Sequence, residues 1–329
     1  MTFRVLIRPG TAAVVLLASL PSCRVQAQDG PGTPAPASVQ QETADPPQAP
    51  LVLTLPASVR AMGLGNAYMM NSGHADGVFY HPALVAGAGG WGIQVQSFGG
   101  QATSMSASAA GEWLGGSAAI GLQVLQHGAD GGETLALSAG APGLFGSGVE
   151  PLSEAIASMA YAREIFGVRV GVTGKLLDER VGIARDRSAL LDVGIAADAG
   201  PLVVGLSALN LGKDLSLGGE TAAVPTRIAL GVGAYGQPVG PLDVGISLTT
   251  SYEDGWLGAG GGLEVGYWPV LGRTFVGRVG LRRVRDDGGS PLTVGGAYWR
   301  DDLVLEWAMW PRGGRIGSAA HRFAIRWTG

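Results

Sequence analysis

His74, Asp76 and His81 bring two imidazoles and a carboxylate into one short stretch of chain, with Ser58 and Ser72 upstream of them. A nucleophile-base-acid arrangement would draw its hydroxyl from Ser72 or Ser58, but a His-x-Asp pair arises too often by chance to specify hydrolysis. The same three side chains would suit a metal ion, although ligands crowded on irregular chain are a weak pattern beside the spacings of known sites. A hydrogen-bonded cluster is the plainer reading, so no catalytic, metal or cofactor role is assigned. Gly63-Leu64-Gly65-Asn66 lacks the preceding strand and the following helical pattern of a phosphate cradle. Its glycines instead suit tight backbone turns. Arg278, Arg282 and Arg283, with Arg169 and Lys175 as neighbours, would either recognise a carboxylate or pair with Asp192, Asp243 and Glu264 inside the fold.

Strands must position these groups. In His321-Arg322-Phe323-Ala324-Ile325-Arg326-Trp327, Phe323, Ile325 and Trp327 fall on one face and Arg322, Ala324 and Arg326 on the other. Aromatics on one face and charge on the other suit a transmembrane barrel, whose outer face meets lipid and whose inner face meets water. Upstream, Val168, Val170 and Val172 alternate with Arg169, Gly171 and Thr173, and Ile93 and Val95 with Gln94 and Gln96. Similar segments lie near residues 103–110, 118–126, 155–164, 191–199, 202–209, 225–235, 242–251, 259–268, 274–284, 291–299 and 302–310, about fourteen strands in all. Residues 133–139 are a further candidate. Trp256, Tyr267, Trp268, Tyr298, Trp299, Trp307 and Trp310 mostly lie near strand ends, where an interfacial aromatic girdle belongs. Gly231, Gly233, Gly236 and the run 258–262 would either admit a loop close to the inner wall or mark bends.

Bulk properties agree. The 329 residues include 56 glycines and only 15% charged residues, yet mean hydropathy is +0.25. Beyond the N-terminus no run of about eighteen apolar residues offers a membrane helix. Apolar content spread as alternation crosses a bilayer only as a closed barrel, which satisfies every backbone hydrogen bond. A soluble β-sandwich or propeller would show a polar face rich in Lys, Glu and Asp; here that face is largely Gly, Ala, Ser and Thr. The net charge of −4, without a Lys/Arg cluster, argues against nucleic acid as a partner.

Residues 1–27 are expected to be a signal peptide: Arg4 and Arg8, an apolar core, and Val25-Gln26-Ala27 before the cleavage point. Leu20-Pro21-Ser22-Cys23 also resembles a lipoprotein site; cleavage after Ala27 would leave no cysteine. Residues 28–50, rich in Pro, Ala and Gln, read as a disordered linker. Residues 51–88, with turn-like glycines and Pro82, read as an irregular plug or periplasmic entry segment, and residues 89–329 as the barrel.

Two stretches carry a family resemblance. Ser58-Val59-Arg60-Ala61-Met62-Gly63-Leu64-Gly65-Asn66-Ala67-Tyr68, followed by Phe79-Tyr80-His81-Pro82-Ala83, resembles the entry segment of the PorV/PorQ outer-membrane proteins, relatives of the FadL-type transporters. His81 stands where the family has Asn, and the Gly usual after Ala83 is missing. Ala208-Leu209-Asn210-Leu211-Gly212 with Val224-Pro225-Thr226-Arg227, and Ala320-His321-Arg322-Phe323, are similar to later family motifs. The resemblance implies a fourteen-stranded barrel with its N-terminal segment in the lumen. It also implies one of two roles: passage of hydrophobic small molecules, or binding of exported protein cargo in type IX secretion. A barrel with a structural role alone is a third class.

The expectation is therefore an all-β fold, a transmembrane antiparallel β-barrel of about fourteen strands with an N-terminal plug. Arg60, Gly63, Gly65, Asn66, Phe79, Tyr80, His81 and Pro82 are the plug and lumen candidates, and Phe323, Ile325 and Trp327 the assembly signal. Phe79 and Tyr80 are expected against inner-wall glycines, Gly231 and Gly233 among them. Expected partners are the lipid of a Gram-negative-type outer membrane, the barrel assembly machinery, and either a hydrophobic small molecule or an exported protein.

Overall fold

The computed structural model describes residues 50–67, 73–98, 102–127, 152–181, 183–270, 273–284, 289–311 and 319–328. The expected signal peptide, Cys23, the linker up to residue 49 and the candidate strand 133–139 lie outside the described residues, as does Ser72.

Each of the fourteen expected segments is a strand. In chain order they are β1 (Gly90–Phe98), β2 (Ala102–Trp113), β3 (Gly116–His127), β4 (Leu152–Ile165), β5 (Val168–Val181), β6 (Ala184–Ala199) and β7 (Leu202–Gly212). A small hairpin, β8 (Leu215–Leu217) with β9 (Glu220–Ala222), interrupts the series. The wall resumes with β10 (Arg227–Val239), β11 (Leu242–Glu253), β12 (Trp256–Val270), β13 (Arg273–Arg282), β14 (Leu292–Arg300), β15 (Leu303–Trp310) and β16 (Ala320–Trp327). Neighbours in sequence pair antiparallel, β7 pairs with β10 across the hairpin, and β1 pairs with β16 to close the barrel. Closure sets Phe323 opposite Val95, Ile325 opposite Ile93 and Trp327 opposite Trp91.

At one end of the barrel, residues 114–115, 166–167, 200–201, 240–241 and 301–302 are two-residue turns. Leu114-Gly115 and Phe166-Gly167 hold positive φ at both positions, the conformation whose twist matches the flanking strands. Longer connections, such as 213–226, leave from the other end. This asymmetry is that of a membrane barrel, with short turns on the inner side.

Burial is inverted relative to a soluble sheet. Val172, Leu176, Ile195, Leu206, Leu230, Ile246 and Leu248 are exposed on the outer face, while Thr173, Lys175, Asp192, Arg278, Glu306, Arg322 and Arg326 are buried inside. Only a surrounding hydrocarbon makes this arrangement stable, because the outer apolar belt would otherwise stand in water. Phe323, Ile325 and Trp327 belong to that belt, whereas Arg322, Ala324 and Arg326 on the opposite face are buried. Replacing Ile246, on the outer face, by Arg is expected to weaken the folded barrel by about 2–4 kcal/mol if the site lies near the bilayer midplane. Urea titration in vesicles would measure it; an unchanged midpoint would contradict lipid contact there.

The alternation also corrects one expectation about aromatics. Trp310 shares its parity with Glu306 and Ala308 and is buried in the lumen, its indole N–H 3.4 Å from the Met62 carbonyl and the Arg282 guanidinium over its ring. Trp299 likewise stands edge-on to His74. These two rings face inward, while Tyr267 and Trp268 are exposed.

Before β1 the chain forms short 3-10 turns at Leu51–Leu53, Ala75–Phe79 and Pro82–Val85, and one helical turn, α1 (Val59–Gly63). Val52, Leu53 and Met62 are buried with Phe98, Leu125, Leu177, Leu190, Trp310 and Ala320, several of them at the long-connection ends of strands. The hairpin contributes Leu215 and Ala222 to the same cluster. Val78 and Val85 are buried with Ala119, Ala160 and Ala162, near the two-residue turns. Residues 50–67 and 73–89 thus lie along the inner wall from one mouth towards the other.

Candidate functional site

The N-terminal segment holds to the wall through polar groups that neither could satisfy alone. α1 is too short to supply its own caps, so its leading N–H groups find other acceptors. Val59 N donates to Gln94 Oε1 at 2.7 Å, and Ala57 N and Ser58 N donate to the Tyr80 hydroxyl at 2.7 and 2.9 Å. Arg322 donates to the Pro56 carbonyl, to Gln96 Oε1 at 2.6 Å and to Ser106 Oγ at 2.8 Å, and Ser106 Oγ donates to the Ala57 carbonyl. Gly65 N donates to Thr293 Oγ1 at 3.0 Å, and Ser247 Oγ to the Ala67 carbonyl.

A chain of charges crosses the same region. Arg60 Nη2 lies 2.6 Å from Glu264 Oε1, and Arg278 bridges Glu264 Oε2 and Glu306 Oε1 at 2.6 and 2.7 Å. Arg326 continues from Glu306 Oε2 at 2.6 Å to Asp76 Oδ2 at 2.7 Å. Gln94 and Ser108 donate to the two Asp76 oxygens. Three arginines alternate with three carboxylates, so the buried charges balance. Arg60 and Asp76 come from the segment, and the other four from β12, β13, β15 and β16. A second buried pair, Lys175 with Asp192 at 2.6 Å, is joined by Asn210, whose N–H donates to Asp192 and whose Oδ1 accepts from Lys175. Asn210 takes positive φ where the β6–β7 register shifts, and its Nδ2 donates to the Pro225 carbonyl.

Smooth patches of wall let the segment approach. A Cβ on Gly280 would sit 2.1 Å from Gly65 N, one on Gly262 2.6 Å from Leu64 Cα, and one on Gly260 2.3 Å from the Gly65 carbonyl oxygen. Gly171 and Gly194 give the same clearance to Pro82 and His81, and Gly121 to Phe79. Phe79 meets a wall glycine, Gly121, and Tyr80 is buried with Ala196 and with Ala229 of β10. Gly236, with positive φ, sits at the β10 register shift, the bend reading of that glycine.

Of the other candidates, Gly63 and Gly65 lie against β13 and β14, and Asn66 takes positive φ beside Gly65. Ser58 and Asp76 meet at Arg326 rather than at a histidine. Ser58 Oγ accepts from Arg326, the His74 ring meets Arg60 at 3.1 Å, and His81 packs on Gly194. Arg278 and Lys175 pair with carboxylates, as the pairing alternative anticipated, while Arg282 and Arg283 bond to the Ser290 and Leu257 carbonyls. Reasoning from sequence did not single out Glu306 or Thr293, although both sit at inward parity on their strands. Gln94, Gln96, Ser106 and Ser108 were legible only as alternating polar positions.

Burial pulls the His81 imidazole down from 6.5 to about 4, with Arg169 adding to the effect. Burial first, then Arg326 and Arg60, holds His74 well below its ordinary value. A histidine with a depressed folded pKa binds fewer protons folded than unfolded, so its contribution is complete above pH 6.5 and is lost as pH falls towards 4. Protease access to residues 73–89 is expected to rise across that window, and His81→Asn to shrink the response. A flat profile in the parent protein would contradict this.

Between the segment and β3, β4, β5 and β10 lies a small recess of about 30 Å³. Val52, Leu53, Leu55, Phe79 and Ile156 give it apolar walls, and Asn66, Gln123, Ser158, Lys175 and Arg227 its polar groups.

No family model matches this chain, and no curated protein matches it. Among solved structures, the toluene transporter TodX of Pseudomonas putida is similar over 81% of this chain and 95% of its own, at 10% identity and a TM-score of 0.50. The Ralstonia pickettii toluene transporter TbuX covers 80% of this chain and 97% of its own, at 11% identity and a TM-score of 0.45. The KdgM porin covers 72% and 98%, at 7% identity and a TM-score of 0.37. At 10% identity the likeness to TodX is one of fold alone.

Proposed function

We propose that this protein is an outer-membrane barrel through which small hydrophobic molecules pass, with residues 50–89 as its plug. The apolar face of the segment carries the reading: Val52, Leu53 and Met62 are buried with Phe98, Leu125, Leu177 and Leu190 inside the barrel. The fold shared with TodX, a toluene transporter, supports it. The outer apolar belt supports residence in an outer membrane. Vesicles containing the protein are expected to take up labelled toluene faster than empty vesicles, and equal rates would contradict passage.

A second reading has its own observation. The charge chain from Arg60 to Asp76 ties the segment to the inner wall, which suits a cargo-binding barrel of PorV type in type IX secretion. Co-purification with an exported protein, together with no solute uptake, would favour it.

A further inference from the structure

Two buried carboxylates lie side by side at the long-connection end of the lumen. Glu154 of β4 and Glu179 of β5 are directly opposite in the antiparallel register and share the inward face, 2% and 5% exposed. Side chains so opposed stand about 5 Å apart at Cβ, where like charges repel. Among the described residues neither carboxylate has a cationic partner. Lys175 is committed to Asp192, and Arg185 and Arg187 to Asp178 on the outward face. Glu179 Oε2 is buried without a hydrogen-bond partner, whereas Glu154 Oε2 accepts from Val52 N at 2.6 Å. Val52 belongs to the first turn of the segment, Leu51–Leu53, so one member of the pair anchors the segment's outer end.

The pair stands beyond the lipid. The outer face of β5 is apolar up to Leu176, opposite Ala189, and the next outward pairs are Asp178 with Arg187 and Arg180 with Arg185. Charges at that level mark the end of the hydrocarbon belt. Burial, reinforced for Glu154 by Glu179, pushes both carboxyls up from 4.5 to about 7. Groups this close titrate as a pair. Asp186, opposite Glu179 on β6, serves the hairpin instead, accepting from Ser216 N at 2.6 Å and Arg187 N at 2.8 Å. Leu125, Ser188 and Leu190 are the other inward neighbours on β3 and β6, and the Leu51–Leu53 turn carries no titratable side chain. Lys213, Asp214 and Glu220, before and within the hairpin, are exposed. His127 ends β3, and its side chain lies outside the described residues.

We propose that Glu154 and Glu179 share one proton and latch the outer end of the plug, holding Val52 while the proton is kept and releasing it when both carboxylates ionise. In the closed latch a Glu179 hydroxyl donates to Glu154, whose other oxygen keeps the Val52 N–H. As external pH rises the proton passes to water, the two charges repel, and Glu154 leaves Val52 for solvent. A released Glu154 returns to the ordinary carboxylate value, so the latched state is the one that binds the extra proton. Its stabilisation is complete below pH 4.5 and is lost as pH rises through about 7. That sign is opposite to the histidine response of residues 73–89. The proposal rests on residues 50–67 lying in the lumen as a plug, not on which molecule passes.

A nitroxide label on Thr54→Cys, in a Cys23→Ser background, reads the latch in the refolded full-length protein. Its spectrum is expected to turn from immobile to mobile as pH rises from 4.5 through about 7. The latching equilibrium should weaken by about two orders of magnitude over that span, because each unit between the two values is about tenfold for one proton. Glu179→Gln supplies a neutral neighbour and Glu154→Gln keeps an acceptor for Val52 N, so both should stay immobile throughout. Glu154→Ala has no acceptor and should be mobile at every pH. His127→Gln should titrate like the parent. A parent label without a transition would overturn the proposal, as would a transition that survives in assembled Glu179→Gln or Glu154→Gln protein. So would its loss in His127→Gln, which would assign the proton to that imidazole. Vesicle uptake separates this proposal from passage. A transition abolished by Glu179→Gln keeps the latch even if toluene does not enter, and toluene entry without a transition keeps passage and removes the latch.

Discussion

Gly280→Leu is expected to expel the N-terminal segment from the wall while leaving the barrel assembled. A Cβ at Gly280 would stand 2.1 Å from Gly65 N and 2.4 Å from the Leu64 carbonyl carbon. Both are backbone atoms, so no rotamer change relieves the clash. Overpacking usually costs about 1–3 kcal/mol, and a leucine adds three more carbons to the collision. The strand is held by pairing on both sides, Gly280 opposite Gly262 and Thr293, whereas the segment is held by side-chain contacts. The segment is therefore the part that yields. Gly171→Leu should act alike through the Pro82 backbone, 2.3 Å from its Cβ. Planar-bilayer recordings should show larger conductance in both variants, with heat-modifiable migration retained. Parent-like conductance in an assembled Gly280→Leu protein would mean that the segment does not obstruct the lumen.

Glu306→Leu should do the opposite: the barrel itself should fail. Glu306 holds Arg278 and Arg326 at once, and its side chain is 1% exposed. Removing one member of a buried ion network strands the others, at about 3–5 kcal/mol for a single pair. Arg278 would keep Glu264 and Arg326 would keep Asp76, but two arginines would then face a leucine in place of a carboxylate. Asp76→Asn is the informative contrast, because Asp76 belongs to the segment. Its loss removes the anchor to Arg326 and Ser108 but leaves the four wall charges together. Folding yield and urea midpoint should fall steeply for Glu306→Leu and little for Asp76→Asn, whose segment should instead become protease-sensitive. Similar midpoints for the two variants would show that the network does not distinguish wall from segment.

The wall was legible in the sequence because strand alternation is a local property. Val168 to Thr173 announces both a strand and its two faces without reference to any other segment, and a barrel needs only enough such strands to close. The same parity rule places Trp310 inside with Glu306; the girdle expectation missed it by weighing position along the strand above parity. The three-residue strands of the β8–β9 hairpin went unseen because they are too short for a period to show. What the segment does inside the wall depended on the tertiary structure throughout. Arg60 lies 204 residues from Glu264, and Arg322 lies 266 residues from Pro56. No local pattern encodes which glycine of a rich wall will face which turn, or which buried carboxylate will meet which arginine. Alternation thus determined by itself that this chain is a barrel with a polar interior. Closure of the sheet then decided how the N-terminal segment, Gly280 and the charges from Arg60 to Asp76 meet, because it brings distant residues of fixed parity to one depth of one lumen.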